Sequence, residues 1–305
     1  MKVLLALFFV VFVDVVTSQC ECPSMKWAKC DGTSCNCTLA LDDTIRQELD
    51  CSKLIPKCYL MKAEMYRAKK GQNTRLIGGK PEETAIVDND GIYDPVCESN
   101  GNFKAVQCNG TDVCWCVNSA GVRRSDKGDK NIKCEPVDTY WVRLEMIHKG
   151  GVGALDVVKL KTGIQNALLE RYKISKDLVK DVKYDDKGRM IVVDVQKLKG
   201  DRTVDLSLMT YYMEKDIKAL PLYTNSAPFE VSVEGTKVSM ENILVYYVDE
   251  VPPTITMRNL TGGIIAVIVV VSLVVVAGLL ALFFLGRQGK ARYSKAQARE
   301  LETMS

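Results

Sequence analysis

Beyond Cys134 the chain has no cysteine: all twelve fall between Cys20 and Cys134, and the last 171 residues carry none. Whatever folds there must rest on an apolar core and not on crosslinks. Histidine is nearly missing too, since His148 is the only one. Hydrolytic triads use histidine as base, and no serine or cysteine can be argued to lie beside His148, so it is read as structural or surface and no catalysis is assigned. A strong charge of either sign is also lacking. The chain has 41 basic and 38 acidic residues, net +3, and the five basic and two acidic residues after Gly286 account for that excess. The rest is near neutral, which excludes the basic footprint of a nucleic-acid-binding domain. No cofactor or metal site is expected.

What is present begins with two apolar runs of different kinds. Met1 and Lys2 precede an apolar stretch from Val3 to Val13, then Val16, Thr17 and Ser18, which has the form of a signal peptide over 1–18, cleaved before Gln19. The second run, 262–286, holds no charge over 25 residues, enough for a helix to cross a bilayer. Arg287, Lys290, Arg292, Lys295 and Arg299 follow it, so the positive-inside rule puts 287–305 in the cytoplasm and the N-terminus outside. The basic tail is expected to lie against anionic lipid.

An even, dense set of cysteines behind a signal peptide reads as a disulfide framework and not as zinc ligands. Residues 19–58 hold seven: Cys20, Cys22, Cys30, Cys35, Cys37, Cys51 and Cys58. Because seven is odd, at least one, most simply Cys58, pairs outside this small module. In the next module, 59–135, Tyr59 to Ala68 predicts a short helix with apolar positions at Met61, Met65 and Ala68. Lys69–Asp90 reads as a long exposed loop. Asn100-Gly101 marks a hairpin turn. Cys114 and Cys116 lie on one face of a strand with Trp115 on the other; Cys114 can reach back to Cys108 and Cys116 forward to Cys134.

The cysteine-free stretch 136–258 reads as strand Tyr140–His148, helix with apolar positions Val157, Leu160, Ile164, Leu168 and Tyr172, and a hairpin of Val179–Tyr184 with Met190–Leu198. A second helix (Val204, Leu208, Tyr211, Tyr212) and strands Phe229–Val233 and Ile243–Val248 follow. That order predicts an α+β sandwich, helices on one face of an antiparallel sheet.

Tyr93, Pro95, Cys97, Gly101, Phe103, Gln107-Cys108, Cys114-Trp115-Cys116-Val117 and Gly121 resemble a thyroglobulin type-1 domain. Further motifs line up in order along nearly the whole chain: Cys108 to Arg124, Thr139-Tyr140-Trp141, Tyr211 to Asp216, Val245 to Glu250 and the run from Gly263. Through them the chain resembles the epithelial cell adhesion molecule and tumour-associated calcium signal transducer family. The resemblance implies the pairings Cys20–Cys35, Cys22–Cys51, Cys30–Cys37, Cys58–Cys97, Cys108–Cys114 and Cys116–Cys134. It also implies a non-catalytic, type I cell-surface glycoprotein of epithelial adhesion and signalling, at the lateral or junctional plasma membrane. Such a protein acts through a cis homodimer and assemblies between cells, in which the Lys69–Asp90 loop meets a neighbour's third module. Relatives also meet claudins through an Ala-xxx-Gly pattern in the membrane helix; this chain has Val274 four residues before Gly278, with Ala277 and Ala281 as its own small pair. The alternative is a membrane-tethered inhibitor of cysteine proteases, because thyroglobulin-type modules wedge into papain-like clefts. The third module also resembles self-cleaving mucin-type domains in shape, but no Gly-Ser dipeptide occurs to be cut.

Three sequons occur. Asn109, in a predicted turn, is the glycosylation candidate. Asn36 competes with disulfide formation at Cys37, and Asn259 lies against the bilayer. Tyr293 and Ser294 are the tail's candidates for phosphorylation.

Overall fold

The computed structural model describes residues 20–32, 35–72, 93–218, 220–255 and 266–283. The expected signal peptide (1–18), all but the first residues of the Lys69–Asp90 loop, the tail (287–305), Asn259, Tyr293 and Ser294 lie outside these residues. The chain forms two compact units, Met1–Thr254 and Ile255–Ser305.

The first unit starts with a small antiparallel sheet of β1 (Lys29–Cys30), β2 (Cys37–Ala40) and β3 (Arg46–Leu49). Three disulfides hold it: Cys20–Cys35, Cys22–Cys51 and Cys30–Cys37. A fourth, Cys58–Cys97, leaves this segment and ties helix α1 (Lys57–Lys69) to the chain beyond the long loop. The apolar positions read from sequence understate α1. Lys57 to Met61, Ala63 to Met65 and Ala68 are all buried, because the helix lies between β2 and a later helix and has almost no solvent face. Beyond it, β4 (Val106–Cys108) and β5 (Cys114–Cys116) form a two-stranded ladder closed by Cys108–Cys114, and Cys116–Cys134 anchors its end. The Asn100-Gly101 turn joins through a single bridge, Cys97 to Phe103. Gly101 has φ +86° there, and a Cβ would lie 2.4 Å from Pro56 Cβ, so only glycine lets the turn press on the start of α1.

From Thr139 a five-stranded antiparallel sheet runs in the order β7-β8-β6-β10-β9: β6 (Thr139–His148), β7 (Val179–Asp185), β8 (Met190–Gln196), β9 (Glu230–Val233) and β10 (Thr236–Asp249). Helices α2 (Val157–Tyr172) and α3 (Leu206–Lys218) cover one face, the sandwich expected from the element order. Asp156 caps α2 by accepting from the Lys159 N–H at 2.9 Å, and Asp205 accepts from Ser207 and Leu208 to start α3. Leu160, Ile164, Leu168 and Tyr172 enter the core, whereas Val157, predicted with them, is exposed in the first turn. On α3 the most buried apolar positions include Leu206 and Met209; Val204 precedes the helix, and Leu208 packs at the margin. Gly163, which costs helix propensity, has a tertiary reason: a Cβ would stand 2.5 Å from the Ser232 carbonyl of β9.

In the second unit, α4 (Ala266–Phe283) is apolar and exposed along its 18 described residues. At 1.5 Å per residue it measures about 27 Å, near the thickness of a hydrocarbon core.

Candidate partner-binding surface

Alternation along β6 sends Val142, Leu144, Met146 and His148 toward the helices, all at most 1 % exposed. Trp141, Arg143, Glu145 and Ile147 therefore look the other way. The register extends that outer face sideways. Trp141 pairs with Gln196 and Val248, Arg143 with Asp194 and Tyr246, Glu145 with Val192 and Leu244, and Ile147 with Met190 and Asn242. Arg143 grips Asp194 with two hydrogen bonds, 2.8 and 2.9 Å, and Trp141 Nε1 adds a third at 3.0 Å. These donors, Arg143 foremost, hold the Asp194 carboxyl below its usual range. Around the pair stand Val192, Ile147, Leu244 and Tyr246, the last two about half exposed. An apolar and aromatic surface around a fixed ion pair is how a protein–protein contact is built. The β7 edge carries Lys180, Asp181, Lys183 and Asp185, a charge pattern that discourages strand addition.

The two feet of the long loop are pinned. Lys62 and Lys69 both reach Asp94, at 3.2 and 2.7 Å, and Lys70 reaches Asp43 at 2.7 Å. The family motif around Cys114 to Cys116 turns out to be a mount. Tyr93 meets Trp115 edge to face at 5.9 Å and donates its hydroxyl to the Gly121 carbonyl. Buried Gln107 bonds the Val96 amide and the Val96 and Lys104 carbonyls, replacing ladder bonds that the short strands do not make. Asn109 is exposed in the turn before β5, where Gly110 has φ +80°.

Sequence reasoning missed the junction between the cysteine-bearing part and the sheet. Tyr212, wholly buried, accepts from the Ile55 N–H (3.1 Å) and donates to the Ser24 carbonyl (3.0 Å). Tyr211 donates to Glu64 Oε2 at 2.6 Å, and Lys215 pairs with the same oxygen. Lys57 is buried as the first residue of α1, over the Tyr247 ring (4.9 Å), with the Tyr247 hydroxyl at 3.4 Å. Desolvation pulls its ammonium down to about 8. The one signal in sequence was the adjacent pair Tyr211-Tyr212 on α3; Lys57 and Glu64 gave none.

His148 is buried, with Nδ1 at 2.8 Å from the Lys149 carbonyl and Nε2 at 3.1 Å from the Tyr184 hydroxyl. Both nitrogens are thus occupied by structural contacts. The three-cysteine clusters around Cys37 consist of disulfide-bonded sulfurs, not thiolate ligands.

A family model described as EPCAM/Trop-2, C-terminal, matches residues 139–249, and one described as thyroglobulin type-1 repeat matches 66–134. The chain is 40 % identical to the epithelial cell adhesion molecule of Mus musculus over 313 residues, covering 97 % of this chain and 96 % of that relative. It is 39 % identical to tumor-associated calcium signal transducer 2 of Homo sapiens over 291 residues, covering 93 % and 87 %. The epithelial cell adhesion molecule of Homo sapiens is 38 % identical over 260 residues, covering 82 % and 78 %.

Proposed function

We propose, from the premise that the chain belongs to the EpCAM/Trop-2 family, that it serves cell-surface adhesion and signal transduction through self-association of its extracellular part. The names of the relatives support the coarser role. The observation that carries the finer one is the outer sheet face with its half-exposed Leu244 and Tyr246. The Lys69–Asp90 loop of a second copy is the occupant, because its feet are held by ion pairs and its own sequence offers Leu76 and Ile77 between Arg75 and Lys80, and Ile86 and Val87 beside Asp88. The first unit, to Thr254, then acts as one body, disulfide-braced between Cys20 and Cys134 and carrying a glycan on Asn109. The basic tail contacts lipid on the cytoplasmic side, and the membrane helix is the surface for claudins or other membrane proteins at the epithelial junction.

The test is light scattering on a purified Gln19–Arg258 fragment. A dimer at micromolar concentration is expected, and Tyr246→Lys should shift it to monomer; a wild-type fragment still monomeric at high micromolar concentration overturns the reading.

A second reading, inhibition of cysteine proteases, has the exposed turns at 98–100 and 109–113 in its favour. Titration of cathepsin L separates the two: potent, reversible inhibition supports the inhibitor, and slow digestion of the Lys69–Asp90 loop supports adhesion.

A further inference from the structure

One end of the five-stranded sheet is where β6 begins and β8 and β10 finish. It carries the connection 197–205, between β8 and α3, and the strap 250–254 that follows β10. Both are braced. Buried Lys197 reaches Asp138 at 2.7 Å and the Val204 carbonyl at 2.6 Å, closing the connection across its base. Arg202 grips the Glu250 carboxylate with two hydrogen bonds of 2.8 Å and Asp138 with one of 3.0 Å. Gly200, at φ +85°, donates its N–H to the same Glu250 carboxylate, and the Asp201 N–H closes the tip onto the Leu198 carbonyl. On the strap, Arg124 donates to the Val251 and Pro252 carbonyls, both at 2.9 Å.

This stiff frame displays apolar side chains. Leu198 is 82 % exposed, more than any other large apolar residue among those described, and Val251 on the strap is 53 % exposed. Beside Leu198, the Lys199 ammonium lies over the Tyr140 ring at 4.8 Å. A single exposed leucine is ordinary on a soluble surface. A leucine fixed on a braced turn, with a lysine and a tyrosine next to it, has the make-up of an interfacial anchor. The apolar tip enters the acyl boundary while ring and ammonium stay at headgroup level. Chain length selects the occupant. The uncharged run at 262 begins eight residues after Thr254, at most about 28 Å of extended chain. The opposite end of the sheet lies a further ten-residue strand away, about 33 Å. We propose that Leu198, with Val251, Lys199 and Tyr140, docks on the headgroup layer of the bilayer that this chain crosses. The proposal rests on the reading of 262–286 as a membrane span. Such a contact limits tumbling of the extracellular part and presents its outer sheet face in a fixed direction to a neighbour on the same cell.

The experiment uses the full chain in nanodiscs of phosphatidylcholine brominated high in its acyl chains, with unbrominated discs as reference. Three variants each add one tryptophan: Leu198→Trp, Val158→Trp at the start of α2, and Leu273→Trp within α4. Leu198 and Val158 are exposed, so a larger ring there disturbs no packing. The emission that Leu198→Trp adds over wild type is expected to fall at least twofold in brominated discs. That of Leu273→Trp should fall as well, and that of Val158→Trp should not change. Quenching at 273 without quenching at 198 overturns the docking, leaves the span intact and assigns the patch to a protein partner. Equal quenching at 158 and 198 also overturns it, since no end of the sheet is then preferred. Absence of quenching at 273 overturns the span, and the docking with it.

Discussion

The stretches 20–134 and 139–249 fold into one unit by opposite means. The first has six disulfides and sheets of only two or three short strands. The second has no crosslink and a five-stranded sheet under two helices, with Leu144, Ile164, Leu168 and Val193 fully buried. A short segment buries too small a fraction of its surface to stand on hydrophobic burial alone. The difference teaches where each is vulnerable: one to reduction, the other to cavities. What they share is a junction made of buried polar groups.

The largest effect should come from Cys58–Cys97, which closes a loop of 39 residues. Replacing both by serine is expected to cost about 4 kcal/mol by loop entropy. Urea unfolding read at Trp115 should shift far more than unfolding read at Trp141. Equal shifts would mean that the two stretches do not differ as argued. Leu144→Ala tests the other side. Deleting a fully buried leucine costs about 2–5 kcal/mol, and here the Trp141 signal should lead.

Next in size is Lys57, and its sign is reversed. Burial depresses its pKa from 10.5 to about 8, so the folded state holds the charged form at a cost. That cost is complete below pH 8 and vanishes above 10.5, where both states are neutral; stability therefore rises with pH through that window. Lys57→Met should stabilise the protein at pH 7, by at most about 3 kcal/mol, less the lost ring contacts, and should flatten the alkaline rise. A destabilised variant with the same pH slope as wild type would break the argument. Tyr212→Phe works at the same junction. It leaves the Ile55 N–H without its partner, a loss of about 1–3 kcal/mol, and should lower both the Trp115 and the Trp141 transitions, because the bond spans the two stretches.

How much of this was legible in sequence follows from the kind of signal each part emits. The helix α2 kept its 3.6-residue spacing at Leu160, Ile164, Leu168 and Tyr172, so its core face was readable, although Val157 at its start is exposed. The last strand was not. Ile243–Val248 was expected, and β10 runs Thr236–Asp249, because a bulge between Met240 and Asn242 shifts the alternation by one residue. Val238 and Met240 face the core on one phase and Ile243 on the other, so no single period covers the strand. The outer sheet face was hidden for a related reason: period-2 reading identifies the buried side and says nothing of what the opposite side gathers. The junction was hidden because Lys57 and Glu64 look like solvated helix residues, and only the tertiary fold buries them.

The smallest effect contrasts two neighbours. Asp249 is half-buried, and desolvation raises its carboxyl despite the Asn118 and Thr139 hydrogen bonds. Glu250, one residue on, is held down at about 2 by Arg202. Glu250 therefore contributes stability that is present above its ordinary 4.5 and is lost as pH falls toward 2, whereas Asp249 contributes its share below 3.8 and loses it as pH rises through its raised value. Glu250→Gln should remove part of the acid loss of Tm between pH 4.5 and 2. Asp249→Asn should instead steepen that loss, since it deletes the group whose protonation opposes the decline. Because Glu250 lies near the surface, its share is small and salt-sensitive, so the scans belong at low ionic strength. Parallel Tm curves for wild type and Glu250→Gln from pH 2 to 6 would show that Arg202 holds the strap by position alone and not by charge.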